Sequence, residues 1–239
     1  MKILADTHTH SVHSGHAYST IMENAKAAAD KGLQLLALTD HAPAMPNTTS
    51  HAFFVNMHII PKELFGIRIL KGVELNILDY EGKLDLEEAI LSKLDISIAS
   101  LHTPCIKPGT KKENTSACIC AMENPMVDIL GHPGDPRYPM DFREVFRVAK
   151  RTGTLLEINN ASLVQGGFRE GSEESIEYIL KMSMKEDVPV IVGSDAHFCT
   201  AIGDVFYVEQ VMERIGFPKD LVLNTNIQEL LHTLKRNKG

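Results

Sequence analysis

The amino-acid sequence predicts an α/β fold built on parallel strands, and three observations lead to this prediction. The chain has 239 residues, a length that suits one domain with a substantial core. Apolar runs of strand length alternate with amphipathic stretches of helix length from one end to the other. No linker, low-complexity tract or change in composition divides the chain. Such alternation implies right-handed helical crossovers between parallel strands, which form a barrel or a doubly wound sheet.

Each expected strand is a short apolar run, and each expected helix is an amphipathic stretch that follows it. The strands are predicted at 2–8, 33–39, 68–75, 95–101, 127–131, 154–159 and 188–194. The helices are predicted near 20–31, 85–93, 114–123, 141–151, 172–186, 204–215 and 226–236.

Local capping signals support several helix boundaries. Thr20 and Glu23 have the spacing of a capping box at the start of the first helix. Gly32 and Gly153 stand where the first and fourth helices need a left-handed residue after their last turn. Residues 42–61 form the longest irregular stretch, so we expect a lid or binding loop there.

Composition excludes several classes of protein. The chain has 24 Lys and Arg against 31 Asp and Glu, a formal net charge of −7. Because sequence-independent binding to nucleic acid needs a basic face, nucleic acid is disfavoured as a partner. No run of about 18 apolar residues is present, so no membrane span is expected. Asp6 and two histidines interrupt the first apolar stretch, which differs from a signal peptide and predicts a cytoplasmic protein.

Histidine accounts for 11 of the 239 residues, and the histidines are concentrated at the carboxyl ends of the predicted strands. In parallel α/β folds that edge builds the active site. Six histidines lie there: His8, His10, His41, His102, His132 and His197. One histidine in such a place is more often simply hydrogen-bonded or solvated, but six on one edge favour a shared function.

Carboxylates accompany these histidines, since Glu74 ends the third strand and Asp195 follows the seventh. Neutral imidazole is the commonest metal ligand, and a ring of imidazoles and carboxylates needs cations to offset its lone pairs and charge. His8 and His10 are two residues apart in an extended segment, so both can chelate one ion. Nitrogen-rich sites suit zinc, iron or manganese better than calcium or magnesium. The sequence therefore predicts a site for several metal ions.

The motifs around these residues resemble the PHP-domain metal-dependent phosphoesterases, and among them the YcdX-like phosphatases. The resemblance covers nearly the whole chain and implies a single domain over residues 1–239. It implies a distorted seven-stranded (β/α)7 barrel with the active site at the C-terminal ends of the strands. The matching motifs are Asp6-Thr7-His8-Thr9-His10, Ser14-Gly15-His16, Thr39-Asp40-His41, Gly72-Val73-Glu74-Leu75-Asn76, His102, His132-Pro133-Gly134, Leu156-Glu157-Ile158-Asn159-Asn160 and Gly193-Ser194-Asp195-Ala196-His197.

Carried over position by position, the resemblance implies a centre of three divalent metal ions per chain. Zinc is the expected ion, with manganese or iron as alternatives. The implied ligands are His8, His10, Glu74 and Asp195 for the first ion, His16, His41 and His197 for the second, and Glu74 with His102 and His132 for the third.

The expected activity is hydrolysis of a small phosphate monoester, by attack of a hydroxide that bridges the metal ions. No protein nucleophile is then expected. The alternatives are a histidinol-phosphate phosphatase, a phosphodiesterase or nuclease of the same superfamily, and a non-catalytic metal-binding module. The expected partner is a small phosphorylated substrate, and the resemblance also implies a homotrimer.

A few further residues are candidates for supporting roles. Arg137 lies in the loop after His132 and could meet a substrate phosphate, although a surface arginine is as good an interpretation. Asp6 and Asp40 stand next to ligand segments and could orient an imidazole, with a solvated or backbone-capping carboxylate as the alternative. His13 lies among the ligands of the first loop but is not part of the implied set.

Overall fold

Seven parallel strands form a nearly closed barrel in the computed structural model, which describes residues 1–235. The strands follow one another around the barrel in sequence order, and one short additional strand pairs antiparallel with its neighbour. The strands are β1 (Ala5–Asp6), β2 (Leu35–Leu38), β3 (Glu63–Leu64), β4 (Ile67–Asn76), β5 (Ile96–Ser100), β6 (Ile129–Leu130), β7 (Leu155–Asn159) and β8 (Val190–Gly193), with β3 as the antiparallel one. This architecture confirms the predicted distorted (β/α)7 barrel.

Helices connect the strands on the outside of the barrel. They are α1 (Ile21–Asp30), α2 (His51–Asn56), α3 (Glu88–Leu91), α4 (Lys111–Glu123), α5 (Phe142–Thr152), α6 (Ser172–Glu186), α7 (Phe206–Ile215) and α8 (Ile227–Thr233). The capping box of Thr20 and Glu23 is present, and both Gly32 and Gly153 have positive φ angles as predicted.

Three element predictions need correction. The first strand, predicted at 2–8, pairs in the sheet only at Ala5–Asp6, because the residues that follow it enter the polar end of the barrel. Residues 42–61 contain α2, so this stretch is partly helical. Helix α4 begins at Lys111, three residues earlier than predicted, because Thr110 and Glu113 form a second capping box. The last predicted helix was extended to residue 236, which lies outside the described residues.

The gap between β1 and β8 is closed by backbone and side-chain hydrogen bonds. At the carboxyl end, the Asp195 N–H donates to His8 O at 2.9 Å, and the His10 N–H donates to Ala196 O at 2.9 Å. At the other end, the buried Asn224 side chain donates to Ala5 O at 3.0 Å and accepts from the Val192 N–H at 2.7 Å. These bonds hold the segments after β1 and β8 side by side at the site.

The barrel interior is apolar at one end and polar at the other. Its apolar half is filled by aliphatic side chains from the strands, including Leu35, Leu70 and Ile98, and Leu230 of α8 packs against them from below. A second, larger core lies between the strands and the outer helices. Because inward-facing positions recur every two residues, the next inward layer of β4 and β7 consists of polar side chains. No helix of residues 1–235 is long and apolar enough to cross a membrane.

Candidate metal centre

The polar layer sits at the carboxyl ends of the strands, where two glycines leave room for it. A Cβ atom on Gly193 would lie 2.1 Å from Glu157 Oε1 and 2.8 Å from His8 Cβ. A Cβ atom on Gly131 would lie 2.1 Å from Ser100 Oγ. Both positions therefore need glycine, since any larger residue would displace the polar side chains.

Glu74 is fully buried at the centre of this layer, with imidazoles around both of its carboxylate oxygens. Three Nε2 atoms face Oε1, namely those of His132 at 3.0 Å, His102 at 3.2 Å and His8 at 3.4 Å. Two more nitrogens face Oε2, those of His41 (Nδ1) at 2.7 Å and His10 (Nε2) at 3.5 Å. One carboxylate is thus surrounded by imidazoles from four other segments of the chain and could share ions with them.

Asp195 is a second buried carboxylate of the polar layer and lies on the side of the barrel where β1 and β8 meet. Its Oδ1 lies 3.1 Å from His10 Nε2 and 3.6 Å from His8 Nε2. Its Oδ2 accepts hydrogen bonds from Arg169 Nη1 at 2.9 Å and Asn159 Nδ2 at 3.2 Å. Asp195 has a φ of +56°, a conformation that costs free energy in a non-glycine residue and is often found at functional sites.

His16 and His197 close the centre on its outer side. The His16 ring lies 4.7 Å from the ring of His197 and 5.0 Å from that of His41. Partial burial and these two neighbouring imidazoles lower the pKa of His16 to about 4. His197 Nδ1 lies 3.0 Å from Asp195 O. Because a carbonyl oxygen can only accept a hydrogen bond, His197 Nδ1 carries the proton and donates it.

The outer nitrogens of two buried imidazoles are held by acceptors, which fixes where their protons lie. His8 Nδ1 is 2.7 Å from Glu157 Oε1, and His102 Nδ1 is 2.8 Å from Asn76 Oδ1. Both partners are acceptors, so Nδ1 is protonated and Nε2 presents its lone pair to Glu74. This is the tautomer that a metal ligand needs.

A hydroxyl and a carboxylate orient His10 in the same way. Ser14 Oγ donates to Asp40 Oδ1 at 2.7 Å, so its lone pairs are left to accept from His10 Nδ1 at 2.9 Å and from the His41 N–H at 3.1 Å. Asp40 also accepts from the Ser11 N–H and Oγ. Asp40 therefore lies behind His10 at a distance of two hydrogen bonds, as the interpretation of this residue as an orienting carboxylate anticipates.

Asp6 has a different arrangement. It accepts hydrogen bonds from the Ser194 hydroxyl and from the Gly203 N–H at 2.7 Å, and it makes none to an imidazole within residues 1–235. Burial raises its pKa, and these hydrogen bonds counteract the increase. Asp6 acts as a backbone cap between β1 and the segment after β8, which is the alternative considered for it.

Charge in the cluster favours a cation. Burial would raise the pKa of Glu74, but the imidazoles of His102, His8 and His41 outweigh it and hold this pKa well below the usual range. Burial lowers the pKa of His8, yet Glu157, Glu74 and Asp195 together raise it well above the usual value. The carboxylates thus favour a positive charge at His8, and a bound metal ion supplies one without protonating the ligand.

The donor atoms fit metal ions. Five buried atoms of this cluster have no hydrogen-bond partner within residues 1–235: His8 Nε2, His10 Nε2, His41 Nδ1, His102 Nε2 and Glu74 Oε2. Each buried group left unpaired would cost about 1–3 kcal/mol, and a cation in their midst removes that cost. Three groups have all ligand atoms within 4.8 Å of one another: His10, His41 and His197; His8, His10 and Glu74; and His41, Glu74 and His102.

All nine ligand positions implied by the resemblance lie in this one cluster. His132, with a φ of +28°, reaches Glu74, and His16 reaches the cluster by ring contact. That these residues bind metal ions, and which ion each of them would bind, stays a prediction. His13 stacks on Phe53 at 4.3 Å between ring centroids and contributes to none of the three groups.

Two residues at the site were missed by sequence reasoning. Glu157 appears in the sequence analysis only within the motif Leu156-Glu157-Ile158-Asn159-Asn160 and without a role, although its strand position predicts that it faces inward next to His8. Arg169 lies in an irregular segment with no periodic signal, and its ion pair with Asp195 depends on loop geometry alone. Arg137, by contrast, forms a bidentate ion pair with Asp135, which leaves its Nη1 unpaired within residues 1–235.

Comparison with known proteins agrees with this geometry. A sequence profile described as the PHP domain matches residues 6–163. The whole chain is 49% identical over 239 residues to a probable phosphatase of Thermoanaerobacter sp. strain X514, covering 97% of that protein. It is 46% identical over 239 residues to a probable phosphatase of Clostridium novyi, again covering 97% of that protein.

A solved structure shows a similar fold. Histidinol phosphate phosphatase from Lactococcus lactis, complexed with zinc, L-histidinol and phosphate, superimposes with a TM-score of 0.60 and 18% sequence identity. The superposition covers 90% of this chain and 94% of the other. At this identity the similarity concerns the barrel and not the substrate.

Proposed function

The chain belongs to the PHP-domain family, and from this premise we propose that it is a phosphatase that hydrolyses a small phosphate monoester at a centre of three divalent metal ions. The observation that carries the proposal is the set of unpaired, buried imidazole nitrogens directed at Glu74. Each of these unpaired buried atoms would destabilise the fold, and a bound cation would remove that cost.

Different residues of the chain would bind each of the three ions. Glu74 can bridge, because its two oxygens face separate groups of imidazoles. His8, His10 and Asp195 would hold one ion beside it, and His102 and His132 another. His16, His41 and His197 would hold the ion nearest the mouth of the barrel. Zinc fits the nitrogen-rich donor set, and manganese and iron share that preference.

Divalent ions in such a site lower the pKa of water and offset the charge that develops on a phosphoryl group. No serine or cysteine nucleophile is therefore required in the proposal. Arg137 is proposed to meet a substrate phosphate through Nη1, since Asp135 holds Nε and Nη2 and so fixes the plane of the guanidinium.

Support for a small monoester comes from two directions. Curated relatives that match the whole chain are named probable phosphatases. The net charge of −7 disfavours a polynucleotide, because sequence-independent binding to nucleic acid depends on an excess of basic residues. We therefore place phosphodiester and nuclease activities second, and histidinol phosphate is the first specific substrate to assay.

The test combines metal analysis with a substrate panel. We expect purified chain to contain three divalent ions, to hydrolyse aryl and alkyl phosphate monoesters, and to hydrolyse diesters far more slowly. H132A should lose metal and activity, whereas H58A, which alters an exposed histidine of the loop after β2, should keep both. Fewer than two ions in the wild-type chain, or a preference for diesters, would refute the proposal.

Two further outcomes separate the alternatives. Three ions without hydrolysis of any phosphate ester would favour a non-catalytic metal-binding module. Light scattering on the same samples tests the homotrimer implied by the family resemblance.

A further inference from the structure

The nine candidate metal ligands described above form the metal-ligand cluster. A carboxylate outside this cluster is linked to one imidazole of the cluster through a single amide side chain. Asp85 lies in the segment after β4, where its side chain is partly buried. Its Oδ1 accepts the Asn76 N–H at 2.9 Å, and its Oδ2 accepts Asn76 Nδ2 at 2.7 Å. Asn76 Oδ1 in turn accepts from His102 Nδ1 at 2.8 Å.

The hydrogen bonds that link Asp85, Asn76 and His102 each have a determined direction. Asn76 Nδ2 donates to Asp85 and also to the backbone carbonyl of Ala42 at 3.1 Å, two groups that can only accept. The amide oxygen of Asn76 must then face His102, which places the proton of His102 on Nδ1. The Nε2 lone pair of His102 is thereby directed at Glu74, 3.2 Å away.

Asp85 also ties a second loop to the same ligand. The Ala44 N–H, in the long segment after β2, donates to Asp85 Oδ2 at 2.9 Å. Three donors from two segments thus converge on one carboxylate, and none of them can accept a hydrogen bond in return. Such an arrangement specifies a carboxylate and discriminates against the isosteric amide.

We propose that Asp85 is a positioning residue for the metal centre, which fixes the tautomer of His102 through the Asn76 amide and anchors the loop after β2 to this ligand. The inference rests on the proposed function only in taking His102 as a metal ligand. Outer partners of this kind commonly change metal affinity by about 10–100-fold when they are removed.

The isosteric variant D85N reverses the polarity of one hydrogen bond. The NH2 group of Asn at position 85 can face the backbone N–H of Asn76, and that N–H cannot turn away. Alternatively it faces the side-chain NH2 of Asn76 and the Ala44 N–H. In the second arrangement Asn76 relieves the clash by rotating its amide, which presents NH2 to His102 Nδ1. The proton of His102 then moves to Nε2, and the lone pair for the metal ion is lost.

A polarity swap distinguishes this relay from a merely structural contact. In the double variant N76D/D85N, the carboxylate at position 76 accepts from His102 Nδ1 and from the amide at position 85. The proposal therefore predicts that the double variant binds zinc more tightly than D85N. The rescue is incomplete, because Ala42 O loses its donor and the Ala44 N–H loses its acceptor. A structural contact predicts the reverse, because the double variant carries two changes.

The experiment measures zinc affinity of the full-length, zinc-loaded chain by competition with a chromogenic chelator, with no phosphate ester present. We expect D85N to bind its weakest zinc ion about 10–100-fold less tightly than wild type. If D85N loses zinc affinity a hundredfold, N76D/D85N should bind zinc at least tenfold more tightly than D85N. If the loss is smaller, the double variant should recover most of it. The matched control D79N changes a carboxylate of the same segment. Within residues 1–235 that carboxylate caps only the Glu81 and Lys83 N–H groups, so D79N should stay within about twofold of wild type.

Each outcome decides the proposal. It is overturned if D85N keeps wild-type zinc affinity, or if the double variant binds zinc no better than D85N. It is also overturned if neither variant shows wild-type circular dichroism, since Asp85 would then be required for the fold itself. The proposed function fails separately, if wild type holds zinc but hydrolyses no phosphate ester.

Discussion

Replacing Glu157 by glutamine tests how strongly one buried carboxylate controls the metal-ligand cluster. Glu157 Oε1 faces the His8 Nδ1–H at 2.7 Å. Its Oε2 accepts the His132 N–H at 2.7 Å and Asn159 Nδ2 at 3.2 Å. Both oxygens therefore face donors, and E157Q must direct its NH2 group at one of them.

Either orientation of the glutamine amide has a definite consequence. With NH2 towards His8, the imidazole must accept through Nδ1 and carry its proton on Nε2, the nitrogen that faces Glu74 and Asp195. With NH2 towards the His132 N–H, a buried backbone donor loses its partner, at a cost of about 1–3 kcal/mol. We expect zinc affinity to fall about 10–100-fold, which corresponds to about 1.4–2.7 kcal/mol.

The assay is chelator competition on zinc-loaded protein, followed by thermal unfolding of the same samples. E144Q is the matched control, because Glu144 is an exposed carboxylate that, among the described residues, forms an ion pair only with Arg147. Its zinc affinity should equal that of wild type. If E157Q folds and binds zinc within about twofold of wild type, the argument from donor and acceptor polarity is refuted.

Four further changes have expected outcomes. G193A should destabilise the chain by about 1–3 kcal/mol and lower its zinc content, because the new methyl group would meet Glu157; unchanged melting and zinc content would contradict this. R169Q removes a charge-assisted hydrogen bond to Asp195 worth about 1.5–3 kcal/mol, and should weaken zinc binding at least tenfold in the same competition assay. R137Q should raise KM for a monoester with unchanged zinc content, and an unchanged KM would remove Arg137 from the substrate site. L230A should cost about 2–5 kcal/mol in urea unfolding yet retain zinc at saturating metal, since this side chain packs at the far end of the barrel.

Much of the fold could be predicted because its signals are local. Apolar runs of strand length and capping residues such as Thr20 and Gly153 act over a few neighbouring positions, so they can be recognised without tertiary contacts. The helix within residues 42–61 was missed because packing decides its presence. Helix α2 has no capping hydrogen bond from the Ser50 side chain, and its buried Phe54 packs into the outer core.

The sequence by itself determined which residue types reach the carboxyl edge of the barrel. Strand periodicity and the parallel topology are enough to bring His8, His41, Glu74 and His132 to one place, since every strand ends on the same side. The resemblance then indicated how many ions such a set could hold.

Tertiary structure alone decided how the ligands are oriented. The proton on each imidazole depends on which atom lies behind it, and those atoms come from distant segments: Glu157 for His8, and Asn76 with Asp85 for His102. Arg169 reaches Asp195 from an irregular loop in the same way. Hydrogen bonds act over about 3 Å, whereas sequence patterns report only the face of an element. The direction of a lone pair is therefore a property of the folded chain.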